Sequence, residues 1–250
     1  MSTVYGIDVS SVQGDVPDVH LQAVAADQRF CYVKAREGNA GNDPCFDQNI
    51  AGIRRTDLVP GAYLVCYVLP HSDLAGQLGR DPEDQVQAFF EACDGLGGQP
   101  GELPPCLDLE DPNPSKWSLD GVTPAFCEDW TGRAIDKVTA LWGRLPVVYT
   151  YKWWAEQAKL TKAGGCPLWL ANYGGATYRT AAPWTSATIL QVRNGTGPNA
   201  YRLPNGIPVD ENEIPIATDF LALTGTALPP PAAVPTFQNG PAMPLGGSKP

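Results

Sequence analysis

Asp108 and Glu110 stand two positions apart in LPPCLDLEDP (103–112), at the end of an apolar run and just before a proline. Residues i and i+2 of an extended strand share a face, their Cα atoms roughly 6–7 Å apart, so both carboxylates would point the same way. Cleavage of a glycosidic bond needs such a pair. One carboxyl must keep a proton for the leaving oxygen while a second, ionised group supports an oxocarbenium-like transition state. Neighbouring anions and apolar walls raise one acid's pKa, and a rise of two units corresponds to about 2.7 kcal/mol. Alone, a DxE triplet is more often a solvated loop start that caps the next segment of chain. Further acids alter that balance: Asp8 lies near the end of VYGIDVS (4–10), Glu37 ends FCYVKARE (30–37) and Asp210 lies in GIPVDEN (206–212). Tyr63, Tyr67, Tyr149, Tyr151, Trp153, Trp154, Trp169 and Tyr173 fall near the ends of similar runs, where sugar rings stack on aromatic faces. For any single one of them, core packing is the competing reading.

The elements that must position these residues follow from the rhythm of the chain. The runs at 4–10, 30–37, 59–68, 103–110 and 145–151 are short, β-rich and apolar enough to be buried on both faces. Helical patterns lie between them. Phe46, Ile50 and Ile53 share one helix face, as do Val86, Phe89, Phe90 and Cys93 behind an Asp81-Pro82 start. The longest helix follows Thr123-Pro124, buries Phe126, Trp130, Ile135, Val138 and Leu141, and stops at Gly143. After a short KWWAEQAKL helix, PLWLANY (167–173), ATILQVR (187–193) and GIPVDEN are strand-like with only loops between. Eight strands, five followed by helices, predict a parallel sheet closed into a barrel with one side stripped of helices, its reacting groups at the strands' C-terminal ends.

The chain has 250 residues, 43% hydrophobic and 18% charged, which suits one large domain over 1–225. Residues 226–250, with seven prolines and few large apolar side chains, read as a tail or linker. A net charge of −10 excludes a general grip on nucleic acid or on an anionic membrane. Neither a signal peptide nor an apolar run long enough to span a bilayer is evident. The seven cysteines are widely spaced without a CxxC pair and read first as reduced core thiols, with one or two disulfides as the alternative. With His20 and His71 the only histidines, a Cys/His metal site is not expected.

Taken in order, the motifs resemble those of the family 25 glycoside hydrolases, lysozymes of the Chalaropsis type that are common as phage endolysins. GIDVSSVQG (6–14) is similar to that family's GIDVSxxQG opening, and KAREG (34–38) with DPCFDQN (43–49) to its K-A-x-E-G and DxxFxxN segments. GAYLVCY (61–67), LPPCLDLE and PLWLANY resemble its GAYHF, LPPxLDxE and LWxAxY, while Gln191 and VDEN (209–212) stand for its late WQY and VDxN.

The resemblance implies a flattened TIM-like (β/α)5β3 barrel and hydrolysis of the β-1,4 bond from N-acetylmuramic acid to N-acetylglucosamine in bacterial peptidoglycan, without metal or organic cofactor. It implies Glu110 as general acid/base, and Asp108 as stabiliser of the transition state through the substrate's own N-acetyl group. On the same resemblance Asp8 and Asp210 would complete the acidic floor, and Tyr63, Tyr149, Trp169, Tyr173, Gln191 and Glu37 would contact substrate. The sequence departs from the pattern at Arg36, Leu64 and Val192-Arg193, and the two arginines are candidate cationic contacts to the muramyl peptide or lactyl carboxylate. Such an enzyme without a leader would be freed from a host cytoplasm by a holin, or carried in a phage tail or injection particle to which the tail segment tethers it. The alternatives are a barrel hydrolase of another glycan such as chitin, and a non-catalytic wall-binding component.

Overall fold

The computed structural model describes residues 2–38, 40–70, 81–111, 121–173, 179–196 and 200–225. The predicted tail at 226–250 and His71 lie outside them. In chain order the strands are β1 (Val4–Val9), β2 (Phe30–Glu37), β3 (Gly41–Asn42), β4 (Val59–Val65), β5 (Cys106–Asp108), β6 (Val147–Tyr151), β7 (Leu168–Ala171), β8 (Ile189–Asn194), β9 (Tyr201–Arg202) and β10 (Pro208–Ile214). The helices are α1 (Asp18–Val24), α2 (Phe46–Ile53), α3 (Pro82–Cys93), α4 (Pro124–Trp142), α5 (Lys152–Ala158) and α6 (Ala217–Thr224).

Eight strands close a barrel in the order β1-β2-β4-β5-β6-β7-β8-β10, with β10 returning to β1; β3 and β9 are two-residue additions at the rim. Helices α1 to α5 follow the first five barrel strands, and among the described residues the next three are joined without α-helices. The expected strand count and helix distribution are therefore found. An all-parallel sheet is not: β10 runs antiparallel to both β1 and β8. Strand β9 lies in the chain between β8 and β10 and pairs antiparallel with the start of β10, and the last strand returns alongside β8 in the opposite direction. As a result Asp210 sits near the start of β10, not at its end, and reaches the mouth of the barrel because that strand is reversed.

The helix signals act as expected at several ends. Thr123 Oγ1 accepts from the Phe126 N–H at the start of α4, and Gly143 closes that helix at φ +70°. Asp81 occupies the N-cap position of α3, but its carboxylate accepts from Arg133 and caps no backbone N–H. Helix α6 is an addition to the sequence expectation. It closes the bottom of the barrel, where Phe220 and Leu223 join the interior.

Apolar packing divides into two shells. Ile7, Val9, Val33, Leu64, Leu107 and Val148 face outward from the strands against the helices. Phe30, Tyr32, Leu103, Cys106, Val147 and Trp169 fill the interior. Interior filling requires glycine at one facing position: a Cβ on Gly6 would lie 2.5 Å from the Phe30 ring. All seven cysteines are free thiols, six of them buried.

Candidate active site

Each strand brings its mouthward residues into the interior by the two-residue period of the pleat. On β1 the step is from Gly6 to Asp8, on β5 from Cys106 to Asp108 and then Glu110, and on β6 from Val147 to Tyr149. On the reversed β10 the order is Ile214, Asn212, Asp210. Asp8 and Asp210 are direct partners across the β1–β10 ladder, and Asp108 is the partner of Tyr149 across β5–β6.

These side chains line one pocket of about 230 Å³: Asp8, Asp108, Glu110 and Asp210 with Tyr63, Tyr149, Trp169, Tyr173 and Gln191. Nine of the ten site residues expected from the sequence thus converge. Glu37 does not. It lines a neighbouring pocket with Lys34 and Asp43, accepts a short hydrogen bond from the Tyr67 hydroxyl, and lies 3.6 Å from Lys34 Nζ. The expectation rested on its place at the end of the β2 run, a strand that changes register between Lys34 and Arg36 and pairs Glu37 with Val65. The two candidate cationic contacts are also engaged elsewhere: Arg36 donates to Gly38 O and Asn42 Oδ1, and Arg193 pairs with Glu211.

A hydrogen-bond chain fixes the pocket floor. Trp169 Nε1 donates to Asn212 Oδ1 (2.8 Å), and Asn212 Nδ2 donates to Asp8 Oδ2 (2.8 Å). Gln191 Nε2 donates to both Asp8 Oδ2 (2.9 Å) and Asp210 Oδ2 (3.1 Å). Its amide oxygen accepts from Tyr149 (2.8 Å) and, in a shorter bond, from Tyr173. Asn212 was not among the expected site residues, although its place two positions from Asp210 on one strand puts it on the same face. Trp169, 2% exposed, serves as much to fill the interior as to line the pocket: it stacks on Tyr32 at 4.8 Å and meets Tyr149 edge-on at 5.0 Å.

The pKa of every one of the four acids is raised. Burial raises Asp8, opposed by the Asn212 and Gln191 amides. Burial and then the charges of Glu110 and Asp8 push Asp108 well up, with Lys34 opposing. Asp210 is pushed up to about 8 by burial, Asp8 and Glu110. Glu110 lines the pocket and is an exposed residue, yet the surrounding protein and the adjacent Asp111 raise it, against the Tyr149 hydroxyl. Asp108 Oδ1 is buried and accepts no hydrogen bond. Tyr63 and Tyr149 are held neutral by burial and the surrounding carboxylates, so their hydroxyls remain donors. The arrangement offers a carboxyl with a raised pKa at the mouth, an unused carboxylate oxygen inside, and phenols between. Among the described residues no group of three or more His, Cys, Asp or Glu is placed to hold a metal ion.

The sequence pattern that defines Glycosyl hydrolases family 25 matches residues 7–196. The chain belongs to this family. Its relatives include an N,O-diacetylmuramidase of Chalaropsis sp., 31% identical over 199 residues, covering 76% of this chain and 87% of that protein. Among solved structures it is similar to a lysozyme of Streptomyces coelicolor, 26% identical with a TM-score of 0.74 over 90% of this chain and 98% of the other. A family 25 lysozyme of Aspergillus fumigatus shares the fold, with a TM-score of 0.73 over 89% of this chain and 99% of the other at 23% identity. Asp8, Asp108, Glu110 and Gln191 lie inside the matched span, while Asp210 and Asn212 fall beyond it.

Proposed function

We propose that this family 25 glycoside hydrolase is a peptidoglycan muramidase, cutting the β-1,4 bond between N-acetylmuramic acid and N-acetylglucosamine. The observation that carries the reading is the convergence of Asp8, Asp108, Glu110 and Asp210 on one pocket, with an Asp108 oxygen left without a partner. A buried carboxylate oxygen with no donor is costly unless a ligand supplies one. The N–H of a substrate acetamido group is such a donor. Held there, the acetamido oxygen is aimed at the anomeric carbon and acts as the nucleophile. Glu110, kept protonated longer than an ordinary glutamate, gives its proton to the leaving oxygen and then takes one from the incoming water. Asp8 and Asp210 supply negative potential where the sugar ring becomes positive. Tyr63 and Tyr149 orient the ring, and Gln191 keeps the two floor carboxylates in place.

The name of the Chalaropsis relative supports the choice of a muramic acid glycan over chitin. Mass spectrometry of the fragments released from purified sacculi tests it. Reducing-end muramic acid is the expected product; reducing-end N-acetylglucosamine, or chitobiose from chitin with no wall cleavage, would overturn the reading. Delivery belongs to the same proposal. Among the described residues no helix is long and apolar enough to cross a membrane. Solved endolysins, including that of Listeria phage P40, share the barrel fold, which supports an endolysin freed by a holin. Carriage on a phage tail or injection particle through residues 226–250 is the second route, and it fails if deleting that segment leaves particle incorporation intact.

A further inference from the structure

Strand β6 continues past the pocket. Tyr149 lines the pocket wall, and Tyr151, two residues on, shares its face roughly 7 Å nearer the rim. The Tyr151 hydroxyl donates a short hydrogen bond to Asp111, the residue after Glu110, so the ring is tied to the loop that carries the proton donor. The charges of both Asp111 and Glu110 bear on that hydroxyl. Trp153, at the start of α5, lies parallel to Tyr151, with ring centroids 6.3 Å apart and planes 9° from each other. Trp153 is 57% exposed, while its sequence neighbour Trp154 is 7% exposed and packs in the core. The core thus takes one of two adjacent tryptophans, and the other lies parallel to Tyr151, the ring tied to the residue after the acid.

A ring oriented by a partner at one side and open to solvent at the other matches what a pyranose requires, an apolar face to cover and hydroxyls left free for polar neighbours. A scissile bond lies between two sugars, and Glu110 must sit beside the oxygen that joins them. If the pocket floored by Asp8 and Asp210 takes the sugar on one side of that oxygen, glycan on the other side must run past Glu110 toward the Asp111–Tyr151 rim. Resting on the glycan-cleaving reading above, we propose that Trp153, backed by Tyr151, is a stacking platform for a sugar of the leaving side of the strand, lengthening the substrate groove beyond Glu110.

Soluble, uncross-linked peptidoglycan glycan strands provide the probe. Calorimetry compares Glu110→Gln with Glu110→Gln/Trp153→Ala, both unable to turn the strands over. The platform predicts that Trp153→Ala weakens binding about tenfold, the scale of one aromatic stacking contact, and that Trp153→Phe recovers most of it. In an otherwise unaltered chain, Trp153→Ala should raise KM by a similar factor with kcat changed far less, and leave the unfolding midpoint in place because the side chain is exposed. An unchanged Kd, or a loss confined to kcat, would overturn the platform. Hydrolysis by the unaltered protein is scored separately: its failure would refute the catalytic reading, whereas the Kd comparison judges the platform on binding alone.

Discussion

At the bottom of the barrel Phe30, Leu103, Val147, Ile214 and Phe220 pack into an interior closed to solvent, whereas at the mouth Asp8, Asp108, Glu110 and Asp210 surround an open pocket. The same strands build both ends. Two-residue steps carry β1 from Gly6 to Asp8, β2 from Phe30 through Tyr32 to Lys34, β6 from Val147 to Tyr149 and β10 from Ile214 through Asn212 to Asp210. Between the ends, Tyr32 and Trp169 stack as a floor, apolar below and joined through Asn212 to Asp8 above. The difference separates two tasks. The filled end stabilises the barrel through apolar burial. The acidic end works against folding, since raised carboxyl pKa values mean that ionising those groups destabilises the folded state. Clustering that is unfavourable for stability is what leaves a proton available for chemistry.

Substitutions should therefore have opposite signs at the two ends. The largest stability effect belongs to the filled end: Phe30→Ala removes a fully buried ring and should cost about 3–5 kcal/mol in denaturant unfolding. A loss under about 1 kcal/mol would mean that the bottom is loosely packed. Next comes Gly6→Ala, which forces a methyl into the Phe30 ring and should cost about 1–3 kcal/mol. In the Phe30→Ala background that cost should largely vanish, and the double-mutant cycle measures the coupling. Smallest and of reversed sign is Asp210→Asn at the mouth.

Asp210 carries a folded value of about 8 against 3.8 for the free side chain, so the folded state holds the proton that the unfolded chain has released between those values. Its stabilising contribution is complete below about pH 4 and is lost as pH rises toward 8. Because the group is partly open to solvent, the effect is discounted to about 1 kcal/mol. Asp210→Asn should then raise the unfolding midpoint by about 2–4 °C at pH 8 and leave it nearly unchanged at pH 4. A lower midpoint at pH 8 would contradict the picture of an unfavourably charged mouth.

Much of this contrast was legible in the sequence, because barrel strands buried on both faces show as apolar runs and the acids interrupt those runs at their ends. Asp108 and Glu110 were readable from their spacing taken together with the acids at the ends of the other runs. The facing of Asp8 and Asp210 was not, since it depends on the reversal of β10, a property of how the barrel closes that residue patterns in the strand do not encode. Glu37 was readable only as an acid ending an apolar run, and that position does not reveal that its carboxylate is taken up by Tyr67 and Lys34 beside a neighbouring pocket. Asn212 was legible by the same two-residue rule that found Glu110, but it follows an acid and lacks a charge of its own. Helix α6, eight residues with no side-chain N-cap, gave too weak a signal to be distinguished from the chain around it.

Everything turns on the proton of Glu110. The most direct measurement is the release of reducing-end muramic acid from purified sacculi by the unaltered protein and by Glu110→Gln, with unfolding midpoints recorded for both. The account predicts a loss of about 10²–10⁴-fold in kcat at an essentially unchanged midpoint, the size expected for removing a general acid. Sacculi opened by Glu110→Gln as fast as by the unaltered protein would contradict it.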